Sequence, residues 1–277
     1  MSIKSSIKFI INSLLSATRP KKIVTANISI LNNRELLSGK VALVTGGSSG
    51  FGFAIAKRFV ESGAKVIITG RNKEKLEKAV RDLASDNIKG LVWDLCNIAI
   101  AKSKYAEACS LFGSIDIAIN NAGVWTPKSW ANIQESDWDN ILDTNLKGLF
   151  FICQAESEAM SADANRMNKI INITSIEGVR GGYGPYYASK WGANGLTRGM
   201  AKVLTSKNVV VNAIAPGMGI TDINPYLPKD GNLALDNLNG RFVAVEEIAE
   251  LALFLASDAS NSIVGQVIVI DGGMALN

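Results

Sequence analysis

The stretch YYASK, residues 186–190, holds two side chains able to move a proton. Tyr186 and Lys190 are four residues apart and share one face of a helix. An ammonium beside a phenol favours the phenolate, which brings the tyrosine pKa down from about 10 toward the pH where an acid/base catalyst operates. Tyr187 has no such partner. Its i+4 neighbour is Trp191, and it sits about 100° further round the helix, a structural position in this reading. The chain has no histidine at all. That zero removes Ser-His-Asp triads, Cys-His dyads and imidazole-ligated zinc, and no metal site is expected. The three cysteines, Cys96, Cys109 and Cys153, form no C-x-x-C pair and read as reduced thiols of a cytoplasmic protein.

A second constellation binds rather than reacts. TGGSSGFG (45–52) follows an apolar run and opens a helical period, with glycines at Gly46, Gly50 and Gly52. Glycines there let backbone approach a phosphate, and a helix N-terminus attracts one. The spacing G-x-x-x-G-x-G is not the general dinucleotide fingerprint. The next run ends TGRN, with Gly70 where an NAD site places an acid and Arg71 after it. An arginine grips a 2′-phosphate through two bonds, and Ser48 can add a hydroxyl, so NADP(H) is expected over NAD(H). Asp94 ends the third run and either accepts from the adenine amino group or caps the next segment, with Leu95 beside it. INNAG (119–123) brings the small Asn121, Ala122 and Gly123 close to the nucleotide. Asn145 lies inside an expected helix, where asparagine is a mediocre former and a kink or a water site would justify it. Ser175 stands just past the fifth run.

The elements that position these groups follow from periodicity. Seven β-branched runs, 40–45, 65–69, 90–94, 115–120, 169–174, 209–215 and 266–271, are almost continuously apolar, as in strands buried on both faces. Helical segments alternate with them, from Ala54 to Gly63 and over 73–84, 101–112, 137–160, 186–206 and 246–257. The alternation predicts an α/β fold: one Rossmann-type domain with a doubly wound, parallel, seven-stranded sheet and helices on both faces. Ligands then bind beyond the carboxyl ends of the strands. The 277 residues, 47% hydrophobic and 19% charged, suit one such domain over 38–277. Residues 1–37 form a basic extension, with Lys4, Lys8, Arg19, Lys21, Lys22 and Arg34 and no acid before Glu35. Ile3, Ile7, Ile11 and Leu14 fall at helical spacing there. The extension is a surface arm, a peripheral membrane contact, an organellar transit peptide or an arm on a neighbouring subunit. No run is long enough to span a bilayer, and the net charge of +4 is too scattered to imply nucleic acid. Residues 218–240 follow the last binding loop as an expected lid, and Trp125, Trp130, Tyr183, Met218 and Tyr226 are candidate pocket walls.

Together these motifs resemble the short-chain dehydrogenase/reductase family over about residues 38–274. TGGSSGFG is similar to its cofactor turn, with Ser49 and Phe51 among the contacts. NNAG is similar to its central-sheet motif and YYASK to its Y-x-x-x-K. The resemblance implies a tetrad of Asn145, Ser175, Tyr186 and Lys190. APGMGIT (215–221) is similar to the family's P-G loop, placing Pro216 and Gly217 beside the nicotinamide and Thr221 near its carboxamide. It further implies hydride transfer between NADP(H) and a small-molecule carbonyl or secondary alcohol. Tyr186 then donates the proton, and Ser175 orients the carbonyl. Lys190 lowers the Tyr186 pKa and bonds the ribose, and Asn145 holds a water linked to Lys190. It implies a homodimer or homotetramer packed through 137–160 and 186–206. A 3-oxoacyl thioester is one substrate among several, and a non-catalytic NADP(H) sensor or scaffold and a net isomerase are the alternatives in function.

Overall fold

The computed structural model describes residues 35–160, 166–221, 223, 227, 233–234 and 237–276. The basic extension, apart from its last three residues, lies outside them, as do Tyr226 and much of the expected lid.

Seven strands form one sheet: β1 Val41–Thr45, β2 Lys65–Gly70, β3 Ile88–Val92, β4 Ile117–Asn120, β5 Asn168–Ile173, β6 Val209–Pro216 and β7 Val267–Ile270. All pairs are parallel, in the order β3-β2-β1-β4-β5-β6-β7. The inner strands β1, β4, β5 and β6 are buried at every position, their apolar residues together with the polar Asn120, Asn168, Lys169, Asn172 and Asn212. The edge strand β3 instead buries only Ile88 and Leu91, and it begins and ends two residues earlier than the sequence pattern implies. Trp93 and Asp94 therefore fall past its end, in the loop facing the ligand side.

Helices α1 Gly50–Glu61, α2 Lys73–Leu83 and α7 Val245–Ala256 cover one face, and α3 Ala101–Phe112, α5 Leu149–Met160 and α6 Pro185–Leu204 cover the other. Ile55 and Phe59 of α1 meet Ile248 and Leu253 of α7 in the first core, while Tyr105, Ile152 and Ala193 build the second. Leu37, counted above with the extension, is 1% exposed and belongs to the first core. The expected helix over 137–160 is broken. A short α4 (Glu135–Leu142) runs into a π-helical turn, Asp143–Gly148, before α5 continues. Asn145 sits in that turn, the local widening that a poorly helix-forming residue in mid-helix hinted at.

Strand order reverses between β1 and β4, since β2 and β3 lie to one side and β5 to β7 to the other. Loops diverge there at the carboxyl edge and leave a crevice.

Candidate active site

A cleft of about 680 Å³ opens along this edge. Glycine geometry fixes one end. Gly46 and Gly50 have φ of +63° and +56°, and a Cβ on Gly52 would lie 2.4 Å from the Gly46 carbonyl oxygen. Asn121 holds the turn by donating its side-chain amide to the carbonyls of Thr45 and Gly46, at 3.0 and 3.1 Å. Thr45 Oγ1 accepts from the main-chain N–H groups of Asn121 and Ala122, so β4's end is stitched to β1's. Helix α1 starts at this turn, four residues before the periodicity suggested. Its N-cap Ser49 makes no side-chain cap and its first turn carries no acid, which leaves N–H groups directed at the cleft.

Arg71 and Ser48 line the same end. Arg71 makes no ion pair among the described residues. Gly70 faces Ser48, since a Cβ there would lie 3.5 Å from its Oγ. Asp94 and Leu95 also line the cleft, and Asp94 Oδ1 accepts from the Cys96 N–H at 3.1 Å. Asp94 thus serves the turn while still lining the cleft. The open N-terminus, the missing Cβ atoms and the guanidinium fit a dinucleotide.

The other end gathers the reactive groups. Ser175, Tyr186 and Lys190 line one wall, joined by Gly123, Pro216 and Gly217, while Thr221 reaches back to the glycine turn, where a Cβ on Gly50 would lie 3.1 Å from its own Cβ. Tyr186 is the second residue of α6, which Gly184 (φ +92°) and Pro185 start. Lys190 Nζ lies 5.6 Å from the centre of the Tyr186 ring and donates to the Ile173 carbonyl at 3.1 Å. Burial lowers the Lys190 pKa to about 8. The Tyr186 phenol departs from the sequence expectation. Burial pushes it up to about 12, against a downward pull from its hydrogen bond with Ser175. The loss of solvent outweighs any effect of the neighbouring lysine, which is itself buried.

Asn145 does not enter the cleft wall. Its Oδ1 accepts from the Val124 N–H at 2.8 Å, and its amide donates to the Val124 carbonyl at 2.9 Å. It lines, with Lys190, Asn120 and Thr45, a separate internal cavity of about 10 Å³, near the lower limit for one water. Beneath lies a buried network. Asn120 donates to Glu156 at 2.9 Å and to Asn172 at 3.1 Å, and burial raises the Glu156 pKa to about 7.

Of the aromatic candidates, Trp125 and Met218 line the cleft. Trp130 and Tyr183 do not. They are 71% and 56% exposed and meet edge to face outside it. Tyr187, set aside as structural from its helix angle, does line the cleft, as does Glu177. At the first turn of α6 the helix end itself abuts the cleft, so neighbouring residues both reach it.

Residues 46–275 match a family model described as enoyl-(acyl carrier protein) reductase. The chain is 39% identical over 250 residues to a 3-oxoacyl-(acyl-carrier-protein) reductase of Chlamydia muridarum, covering 87% of this chain and 99% of that protein. A gluconate 5-dehydrogenase from Burkholderia cenocepacia, solved with NADP and tartrate, superposes with a TM-score of 0.81 at 31% identity, over 88% of this chain and 98% of that one. A 3-ketoacyl-(acyl-carrier-protein) reductase from Brucella melitensis, solved with NADH, gives 0.80 at 29%, over 86% and 99%.

Proposed function

The chain belongs to the short-chain dehydrogenase/reductase family, and from that premise we propose that its cleft reduces a 3-oxoacyl thioester with NADPH, Tyr186 giving the proton. The protein is an oxidoreductase acting on a carbonyl or the matching secondary alcohol through a nicotinamide cofactor. One observation carries the residue assignment: Ser175, Tyr186 and Lys190 converge on the wall of the same cleft that the glycine cradle opens.

NADPH, when bound, supplies the hydride for the carbonyl carbon. Gly46, Ser49, Gly50, Phe51 and Gly52 would hold its pyrophosphate at the start of α1, and Ser48 and Arg71 its 2′-phosphate. Asp94 and Leu95 would take the adenine. Asn121, Ala122 and Gly123 would flank the ribose, and Pro216, Gly217 and Thr221 the nicotinamide. Ser175 Oγ accepts from the Glu177 N–H at 3.1 Å and stands beside the Tyr186 phenol, so a substrate carbonyl entering there would take the hydroxyl's proton in place of the phenol oxygen. Tyr186 transfers its proton to the oxygen as negative charge develops there. A phenol held at about 12 stays protonated at neutral pH, as a donor in reduction must. Lys190, with one N–H on Ile173, keeps others for the ribose hydroxyls and for reprotonating Tyr186. Asn145 acts from behind, through the small cavity it shares with Lys190.

The thioester reading rests on the greater identity to the 3-oxoacyl reductase. The likeness to a gluconate 5-dehydrogenase favours a second reading, a sugar acid as substrate. NADPH oxidation measured on a 3-oxobutanoyl thioester and on a keto sugar acid separates them. Faster turnover of the thioester, lost in Tyr186→Phe, is expected. Preference for the sugar acid overturns the first reading, and full turnover by Tyr186→Phe overturns the proton-donor assignment.

The same proposal places the enzyme in the cytoplasm as a homodimer or homotetramer. Trp138 of α4, Phe150 of α5 and Trp191 and Val203 of α6 are exposed on the helices that a second copy would cover. No helix of the described residues is long and apolar enough to cross a membrane.

A further inference from the structure

Trp130 and Tyr183 stand outside the cleft, yet Tyr187 ties them to it. Tyr187 lines the reactive end beside Tyr186. Its ring stacks on that of Tyr183, with centres 6.3 Å apart and planes 21° from parallel. Tyr183 in turn meets Trp130 edge to face, again at 6.3 Å. The three rings make a shelf that begins in the cleft and runs out of it, and its outer members Trp130 and Tyr183 are 71% and 56% exposed. The surrounding loops hold the shelf in place. The Tyr187 ring lies against Gly182, where a Cβ would come 1.7 Å from a ring carbon, so only glycine leaves room for it. The turn before Gly182 is tied down by Arg180, which grips the Glu177 carboxylate with two bonds, Nε to Oε2 at 3.0 Å and a terminal nitrogen to Oε1 at 2.5 Å. The Arg180 carbonyl also accepts from Trp191 Nε1 at 3.1 Å. On the other side, Lys128 pairs with Asp137 at 2.6 Å and closes the loop that carries Trp130. Exposed aromatic rings in a row, continuous with a reactive cleft, mark a surface that takes a ligand.

We propose that this shelf carries the part of the thioester substrate beyond its sulfur, a flexible arm bearing amide groups that lies across Tyr187, Tyr183 and Trp130 as it leaves the cleft. The inference deepens the thioester reading and rests on it. A cleft of about 680 Å³ that must also take a dinucleotide has no room for a large group on the sulfur, so the arm has to cross the mouth. The acyl group is better served inside, where Trp125, Met218 and Leu227 offer apolar wall. An amide suits the half-exposed shelf instead. Its plane stacks on a ring face while its N–H and C=O stay in water, so nothing polar is left unpaired.

The test compares one acyl group on two arms, using the full-length enzyme and NADPH. The 3-oxobutanoyl group is carried either on N-acetylcysteamine, a stub with one amide, or on pantetheine, a longer arm with two. Wild type should show the lower KM for the pantetheine thioester. Trp130→Ala and Tyr183→Ala should each raise that KM about threefold to tenfold with kcat unchanged, since the arm is bound equally well before and during hydride transfer. Both variants should stay within about twofold of wild type on the stub, and Tyr183→Phe, which keeps the ring, should match wild type on both arms. Thermal melts confirm that each variant is folded. Equal losses on the two thioesters would mean that the rings shape the reactive end, and no loss on either would mean that the shelf holds no arm. Each result overturns the proposal. So does a loss confined to a longer acyl chain, read with 3-oxooctanoyl N-acetylcysteamine, which would put the acyl group on the shelf. A lower light-scattering mass for Trp130→Ala would make the shelf a contact between copies of this chain and overturn it too. If wild type reduces neither thioester, the thioester reading itself fails and takes the arm with it.

Discussion

The two ends of the cleft are built from different materials. At the nucleotide end the shape is backbone: Gly46, Gly50 and Gly52 remove Cβ atoms, Asn121 and Thr45 clamp main-chain groups, and α1 presents its open N-terminus. At the substrate end the shape is side chains: Tyr186, Tyr187, Glu177 and Lys190, each placed by a turn or a helix start and each coupled to its neighbours by charge or hydrogen bonds. A backbone site recognises a constant ligand and tolerates little change. A side-chain site can be retuned by single substitutions without loss of the fold.

The sharpest break in this contrast is Tyr186→Phe. It removes one hydroxyl and leaves the nucleotide end untouched. Turnover should fall by roughly 10³-fold, the usual span for removing a positioned proton donor, while NADPH binding changes little. Stopped-flow turnover and fluorescence titration with NADPH check the two halves. Next in size is Gly52→Ala. Its methyl would meet the Gly46 carbonyl oxygen at 2.4 Å and the Asn121 amide at 2.5 Å, and the first is backbone while the second is held by the Thr45 and Gly46 carbonyls. We expect a cost of about 2–3 kcal/mol through displaced backbone, seen as a lower melting temperature and a NADPH affinity weaker by tenfold or more. A Gly52→Ala enzyme with wild-type NADPH affinity would show that the turn is not rigid and would blur the contrast.

The same division decides what could be read from the sequence. The parallel sheet was legible because β1, β4 and β6 are apolar at nearly every position, as two-sided burial requires, although β5 carries Asn168, Lys169 and Asn172. The tight glycine turn at the cleft was legible because close backbone approach demands glycine at fixed spacing. That Tyr186 and Lys190 reach one cleft was legible because a helix makes i and i+4 neighbours. What failed were statements needing a three-dimensional environment. The Tyr186 acidity was misjudged because burial, invisible in a helical wheel, outweighs the adjacent lysine. Tyr187 was assigned by its helix angle, although at the first turn of α6 the helix end is what faces the cleft. The Glu177–Arg180 pair has no motif, being a contact across a turn. Trp130 and Tyr183, each within a few residues of a cleft residue in the sequence, pack on each other outside the cleft, Tyr183 also stacking on Tyr187.

Beneath both ends lies the Asn120–Glu156–Asn172 network, and it sharpens the contrast by affecting stability alone. Glu156 has its folded-state pKa raised from 4.5 to about 7 by burial, with Tyr105 and Cys153 beside it. Below about pH 4.5 the carboxyl is protonated in folded and unfolded chains alike and costs nothing. Between about 4.5 and 7 the folded chain holds the proton more tightly, so stability falls as pH rises, by at most about 1.4 kcal/mol per unit, and levels off above. Glu156→Gln removes this dependence. Its denaturation midpoint should gain on wild type by about 2 kcal/mol between pH 5 and 7, with activity little changed. A parallel pH course for both proteins would place the group's titration elsewhere.

The smallest effect belongs to Arg71, and it tests whether the backbone end has one adjustable side chain. Arg71 has no ion-pair partner among the described residues and follows β2 directly, lining the cleft with Ser48, and a 2′-phosphate bound there would gain from it what a ribose hydroxyl would not. A charge-assisted bond on a partly exposed arginine is worth about 1.5 kcal/mol, so Arg71→Ala should lower kcat/KM for NADPH roughly tenfold and leave that for NADH within twofold. The loss should appear in KM rather than kcat, because the phosphate sits far from the reacting carbon and is bound equally well before and during transfer. Equal losses with both cofactors would mean that Arg71 shapes the turn, and the nucleotide end would then be backbone throughout.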